Sequence, residues 1–406
     1  MLLPATGLVL LFTLTWGVYS SATIAPCDVS APPFRAACNN VTEDTAALQA
    51  ALDEPACETV VVPRHCVALT RGLNLTRMSG RALRIEGVLQ VWPAATYGVN
   101  GYNNPVLAGS YSHAWNGPLL HDFSLSGGGT VFGGGAAWWP AGKSVNRPRT
   151  LWLPNASNVV IANLTLVDSP AWNIGIRGTG VRISGVTVAA GADRCGGYDA
   201  APNTDGFNLG GEDIEVRDCV VHNGDDCVPI TTGNGGFTRG VRAHNVTCAC
   251  GTNGGVIYNQ GGAISNVTFS SFIVTDTNQG AGVKLSEPGR DASGGLVKDV
   301  AWLNYHIVRP RYAALYLNVF SEDAQPPCAL PAKPGLQNWL TIHNATFRNV
   351  TANASGAAAG CFRCTPARPC DMLLDGVRVE GAERGWTCLN AAQSVGAGGA
   401  APAACT

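Results

Sequence analysis

Apolar and polar residues alternate in short bursts along most of this 406-residue chain. From Asn158 onward the bursts recur. NVVIANLTLVDSP is followed by VRISGVTVAAG from Val181, DIEVRDCVV from Asp213, RGVRAHNVTC from Arg239, AISNVTFSSFIV from Ala263 and LVKDVAWLNYHI from Leu296. Each is a short alternating strand, a polar or Asn-containing bend and a second short strand, the pattern of half-buried β-structure. Their starts lie about 23 to 33 residues apart, a solenoid spacing. The clearest helix is DTAALQAAL at 44–52, with Thr42 or Asp44 available to cap its first turn. TVVVP from Thr59 reads as a strand stopped by Pro63, and ALRIEGVLQV from Ala82 to Val91 as another. Helical periodicity nearly vanishes after residue 60. These patterns predict an all-β chain, a right-handed single-stranded parallel β-helix with a short N-terminal capping helix. The cap spans about residues 40–63, because an open solenoid end exposes backbone and core. A β-sandwich is the alternative architecture. Residues 92–118 are less regular, and Leu125 to Pro140 is glycine-rich, with Trp138 and Trp139 fit for core or for a sugar-lining role.

Composition narrows the setting. Net charge is −2 and only 13% of residues are charged, which leaves no basic footprint for nucleic acid. No low-complexity linker interrupts the chain, so residues 26–390 read as one elongated repeat domain and 391–406 as a flexible end. Residues 1–25 resemble a secretory signal, with an apolar core from Gly7 to Val18 and small residues from Ser20 to Ala25. An uncleaved anchor is the alternative, but the run is short for a membrane span. All 15 cysteines follow this segment, pointing to an oxidising compartment. Their odd number leaves at least one thiol unpaired or bonded to another chain. Nine Asn-x-Ser/Thr sequons, at Asn40, Asn74, Asn155, Asn163, Asn245, Asn266, Asn344, Asn349 and Asn353, point the same way. Cys361, Cys364, Cys370, Cys388 and Cys405 crowd the tail; without accompanying histidines they read as disulfide staples rather than a zinc site. The expected protein is a secreted, extracellular or cell-wall monomer with no metal or cofactor.

The chemistry concentrates between Asn203 and Cys227. NTDGFN and NGDDC put Asp205, Asp225 and Asp226 into one short window. Asp205 and Asp225 are 20 residues apart, about one solenoid coil, which would place them on adjacent rungs. Asp beside Gly and Asn is also a turn signal. The bare pattern admits both readings.

Five segments in order resemble the polygalacturonase-like glycoside hydrolases of family 28. They are DTAALQAAL with VVVP, GGGTVFGGGAAWWP, RPRTLWLPNASNVVIANLTLVDSPAWNI from Arg147 to Ile174, NTDGFN and GDDC. The order and spacing agree from about residue 40 to 350. The resemblance implies the right-handed parallel β-helix again, and an inverting hydrolysis of galacturonan-type polysaccharide. In that chemistry one protonated carboxyl gives its proton to the leaving oxygen while carboxylates activate water opposite, roughly 6.5–9.5 Å away. By motif position Asp225 would be the acid, and Asp205 and Asp226 would hold the water. Clustered like charges would help keep one carboxyl protonated. Asn203 would orient the cluster. The resemblance also implies that Cys227 bonds Cys248 or Cys250.

Departures from the family fall on substrate contacts. Where the family carries Gly-His-Gly, this chain reads CACGTNGGVIYNQ from Cys248, with Asn253 or Thr252 nearest the histidine's place. His244 lies upstream and reads as a surface residue. The family's Arg-Ile-Lys is Gly282-Val283-Lys284 here, keeping the lysine and losing the arginine. A downstream family tyrosine corresponds to Tyr312. Lysine lacks the bidentate fork that suits a planar carboxylate, so substituted galacturonan or rhamnogalacturonan enters as a substrate. A carbohydrate-binding β-helix without turnover and a polysaccharide lyase on the same fold are the rival readings. Candidate loops for closing one end of a cleft are 92–118 and Ser321 to Gln337.

Overall fold

The computed structural model describes residues 25–92, 106–109, 120–144, 147–191, 195–232, 236–259, 261–285, 294–319 and 340–395. Residues 1–25 (all but the last), 391–406 beyond residue 395, Cys405, Ser321 to Gln337 and most of 92–118 lie outside them. Every described strand joins one continuous ladder, and its regular pairings are parallel. The chain is a right-handed parallel β-helix.

Stacking of like positions explains the repeat. Val159, Val181, Ile214, Val241, Val267, Val300 and Ala345 pair in register from one coil to the next. All are buried. Two residues on, Phe269, Trp302 and Phe347 stack face to face inside the coil, with ring centroids 5.8 and 4.6 Å apart. The residue before each of these turns a corner in the left-handed region: Asn158, Gly180, Asp213, Gly240, Asn266, Asp299 and Asn344. A second corner column runs through Asn163, Gly185, Asp218, Asn245, Ser271, Asn304 and Asn349. Gly, Asn and Asp tolerate that conformation best. The polar bends between strands are therefore corners of the coil.

Five of the nine sequon asparagines, Asn163, Asn245, Asn266, Asn344 and Asn349, occupy these corners. Three donate Nδ2 down the ladder: Asn245 to Asp218 (2.7 Å), Asn344 to Asp299 (2.8 Å) and Asn349 to Asn304 (2.7 Å). The corner geometry is a sufficient reason for these asparagines. It weakens the use of sequons as a sign of secretion.

Local expectations were partly revised. The helix spans Thr45–Asp53 and buries Leu48, Ala51 and Leu52. Asp44 makes no side-chain cap to it. Its carboxylate accepts instead from the amides of Ala37 (2.6 Å) and Cys38 (3.1 Å), and Thr42 accepts from Asn39. The segment Ala82 to Val91 is two strands, Ala82–Ile85 and Val88–Val91, because the chain turns a corner at Glu86 and Gly87. Trp138 and Trp139 are buried, and Trp139 donates to the Ser169 carbonyl, so both belong to the interior. In the tail Cys364 bonds Cys370, and Cys361 and Cys388 are also disulfide-bonded. Cys219 is a free, buried thiol. Among the described residues no helix is long and apolar enough to cross a membrane.

Candidate active site

The site lies where Phe207–His222, Val228–Thr231, Asn253–Asn259 and Gln279–Leu285 enter one face of the coil. Leu209 pairs with Ile230, and Val228 with Gly255. Gly206 donates to the Asp226 carbonyl (2.8 Å), Cys227 to Asn253 (2.8 Å) and Thr252 to Asp225 (2.9 Å). This register makes Asp226 the rung partner of Asp205, one residue beyond the expected Asp225. Both glycines of the motifs permit close backbone approach. A Cβ on Gly206 would sit 2.4 Å from the Cys227 carbonyl oxygen, and one on Gly224 2.2 Å from that of Ala201. Cys227 bonds Cys248, while Cys250 bonds Cys195, tying two loops to the site.

The three carboxylates are between 3 and 7% exposed. Asp226 is the most heavily supported. Its Oδ2 lies 2.8 Å from Lys284 Nζ, and its Oδ1 accepts from Asn253 Nδ2 (2.5 Å) and Thr252 Oγ1 (2.6 Å). Asp225 Oδ1 accepts from the Asp226 amide (2.9 Å) and contacts Thr252 Oγ1 (2.9 Å). Asp205 Oδ2 accepts from Asn208 Nδ2 (2.9 Å). Burial first, and then the like charge of Asp226, push the Asp205 carboxyl up to about 7.

That shift makes Asp205 a neutral-pH liability to folding. A carboxyl raised in the folded state favours folding at low pH, and the benefit is lost as pH climbs through the folded value. From the ordinary 3.8 to about 7, the loss is about 4 kcal/mol. Asp205→Asn is therefore expected to raise Tm at pH 7.5, with the gain shrinking toward pH 4. Melting curves at the two pH values check this, and an equal shift at both would contradict it.

Of the flanking candidates, the structure gathers some and leaves others apart. Asn253 and Lys284 both touch Asp226. Lys284 also lies over the Tyr258 ring, 4.7 Å from its centroid. Asn203 accepts from Arg147 Nη2 (2.7 Å), and Arg147 is fully buried against the Pro170 and Pro202 carbonyls. Tyr312 is half-buried and precedes Ala313–Asn318, three strands along from that of Asp226. His244 pairs with Glu215 (3.5 Å) on the strand Phe237–Ala249.

Several contributors were not foreseen. Arg177 is buried and grips the Asn208 carbonyl (2.9 Å) and side-chain oxygen (2.8 Å), aiming the Asn208 amide at Asp205. Asn223 donates to the Thr204 (2.8 Å) and Asp226 (2.9 Å) carbonyls, clasping the two motifs together. Tyr316 donates its hydroxyl to Asn253 Oδ1 (2.7 Å). It pairs with Gly282, where a Cβ would fall 1.8 Å from the Tyr316 carbonyl oxygen and 2.8 Å from its ring. The Tyr316 ring thus crosses the strand at Gly282 to reach Asn253. A side chain at position 282 would meet both the Tyr316 backbone carbonyl and its ring, so this strand position suits glycine. Nothing in the alternation of AALYLN distinguishes Tyr316 from a core residue. Among the described residues no cluster of His, Cys, Asp or Glu is arranged to hold a metal ion.

The parallel β-helix thus carries three buried aspartates on two neighbouring rungs, gathered into one acidic site. The chain belongs to glycosyl hydrolases family 28, whose family model matches residues 60–402. A polygalacturonase of Juniperus ashei is 26% identical over 273 residues, covering 63% of this chain and 49% of its own length. This chain thus matches about half the length of that relative. A probable endopolygalacturonase A of Aspergillus kawachii is 25% identical over 392 residues, covering 92% of this chain and 96% of its own. The exopolygalacturonase of Thermotoga maritima shares the fold, with a TM-score of 0.73 at 14% identity, over 91% of this chain and 90% of that one.

Proposed function

We propose that this protein is a secreted, inverting glycoside hydrolase that cleaves O-glycosidic bonds in galacturonan-type pectin by single displacement. The observation that carries the reading is the buried trio of Asp205, Asp225 and Asp226 around Thr252, Asn253 and Lys284. Asp225 gives its proton to the leaving glycosidic oxygen. Asp226, paired with Lys284 at 2.8 Å, takes a proton from water as it attacks the anomeric carbon. Asp205 shares in holding that water, and its contribution grows as pH rises toward about 7. The disulfides Cys227–Cys248 and Cys195–Cys250 favour an oxidising compartment.

Substrate choice follows from the altered flank. Lys284 is engaged with Asp226, and Tyr316 fills the space over Gly282. Neither offers the bidentate fork that a uronate carboxylate fits best. The favoured substrate is therefore a substituted galacturonan or rhamnogalacturonan. Asn253 and Tyr312, with Lys284, line the substrate side, and Asn203 with Arg147 steadies the Asp205 loop. Reducing-end release from polygalacturonan, rhamnogalacturonan and xylogalacturonan, measured side by side, tests this. Release from at least one is expected, with unsubstituted polygalacturonan the poorest. No release from a folded protein would favour a binding role. Ultraviolet-absorbing unsaturated products would favour a lyase.

A further inference from the structure

Thr252 stands between two carboxylates. Its Oγ1 lies 2.9 Å from Asp225 Oδ1 and 2.6 Å from Asp226 Oδ1. A hydroxyl carries a single hydrogen, so it can donate to only one of them. If both carboxylates were ionised, the other contact would press lone pairs together in a buried site, where unpaired polar contacts are costly. The geometry is satisfied when one carboxyl is protonated and donates to Thr252.

The distances say which one. A hydroxyl donating to an ionised carboxylate sits about 2.5–2.7 Å away, and only the Asp226 contact falls in that range. Asp226 also receives Asn253 and Lys284, whereas the Asp225 oxygen meeting Thr252 receives the Asp226 backbone amide. Among the described residues, Asp205 acts on Asp226 from the preceding coil, with Arg177 behind it, and Tyr258, Lys284 and Tyr316 stand on the following coils.

We propose that Thr252 is a positioning residue that assigns the shared proton to Asp225 and returns it there after each turnover. In the resting pair Asp225 donates to Thr252 Oγ1, and Thr252 donates to Asp226. When Asp225 protonates the leaving oxygen, the glycosidic bond breaks and water oxygen bonds the anomeric carbon. The water's proton passes to Asp226. That proton then moves to Thr252 Oγ1 as the threonine's own proton moves to Asp225, which restores the starting pair with no net gain or loss. The inference rests on the reading of Asp225 as acid and adds how that role is selected. The sequence marks Thr252 only as one of two residues nearest the place of the family's histidine, and the coil then sets it across from both aspartates.

Infrared titration of the protonated carboxyl C=O stretch in the ligand-free protein tests the proposal without any substrate. Because Asp205 is itself a raised carboxyl, all spectra are recorded in an Asp205→Asn background, where the otherwise unaltered protein, taken as wild type here, is expected to show a band that Asp225→Asn deletes. In Thr252→Val the band should vanish about one pH unit lower, because the single-proton pair loses its bridge. Thr252→Ser, which keeps the hydroxyl, should titrate like wild type. On the best of the three polymers, Thr252→Val should lower kcat about 10-fold or more, leave KM within about twofold and move the alkaline limb of the pH profile down. A Thr252→Val band and pH profile that coincide with wild type would overturn the proposal. So would a band unchanged in Asp225→Asn, which locates the proton even if the valine variant does not fold. Because the spectra need no turnover, they decide this point separately from whether the protein hydrolyses any polymer.

Discussion

Asp225→Asn is expected to abolish hydrolysis while leaving the fold intact. Asparagine keeps the size of the side chain and an oxygen that can still accept from the Asp226 amide. It removes the one thing the proposed mechanism needs from this position, a proton acidic enough to give to a leaving oxygen. General-acid catalysis contributes about 10²–10⁴-fold, and glycoside cleavage leans heavily on it, so kcat should fall by about 10³-fold or more. KM should change little, since the loss is felt in the transition state. Circular dichroism and Tm within a degree or so of wild type would show that chemistry, and not folding, was removed. A variant retaining half of the wild-type rate would take Asp225 out of the acid role.

Lys284→Met is expected to harm both stability and activity. Lys284 and Asp226 form a close ion pair of 2.8 Å, with side chains only 8 and 4% exposed. Removing one partner of a buried pair leaves an uncompensated charge and costs about 3–5 kcal/mol. Asp226 also loses the cation that aligns it. Lys284 is one of the groups that hold the Asp205 carboxyl down, so activity should fall at neutral pH and recover in part as pH rises. The double variant Lys284→Met with Asp226→Asn should regain much of the lost Tm, since neither charge is left alone. It should stay inactive. A single variant that melts with wild type would mean that the ion pair contributes nothing to the fold.

How much of this was legible in the sequence divides along physical lines. The coil was legible because it repeats the same local demands. Asn158, Asp213, Asn266 and Asn344 are where a corner needs a left-handed residue, and the apolar residue that follows each is where the core needs filling. NTDG and GDDC stood out through a resemblance between motifs, and the coil brings their aspartates onto neighbouring rungs. The Asp44 cap was misread because the chain before the helix folds back and claims its carboxylate for Ala37 and Cys38. That contact depends on tertiary path, which a helix pattern does not contain. Tyr316, Arg177 and Thr252 went unassigned or underweighted because each acts across coils, over 63, 31 and 27 residues of sequence. The choice of a downstream tyrosine illustrates the difference. Tyr312 is the tyrosine the sequence pointed to, while Tyr316 is the ring that reaches Asn253. Corner asparagines carry the opposite lesson, since a frequent motif can serve the backbone.

The proposed single displacement is tested most directly by a proton NMR spectrum of the first products released from whichever of the three polymers is cleaved. Acid and water-activating carboxylates acting from opposite sides of the sugar predict a new reducing end whose anomeric configuration is inverted relative to the bond cut, before mutarotation blurs it. A reducing end that first appears with retained configuration would contradict it, because retention requires a covalent step that this arrangement of Asp205, Asp225 and Asp226 is not proposed to perform.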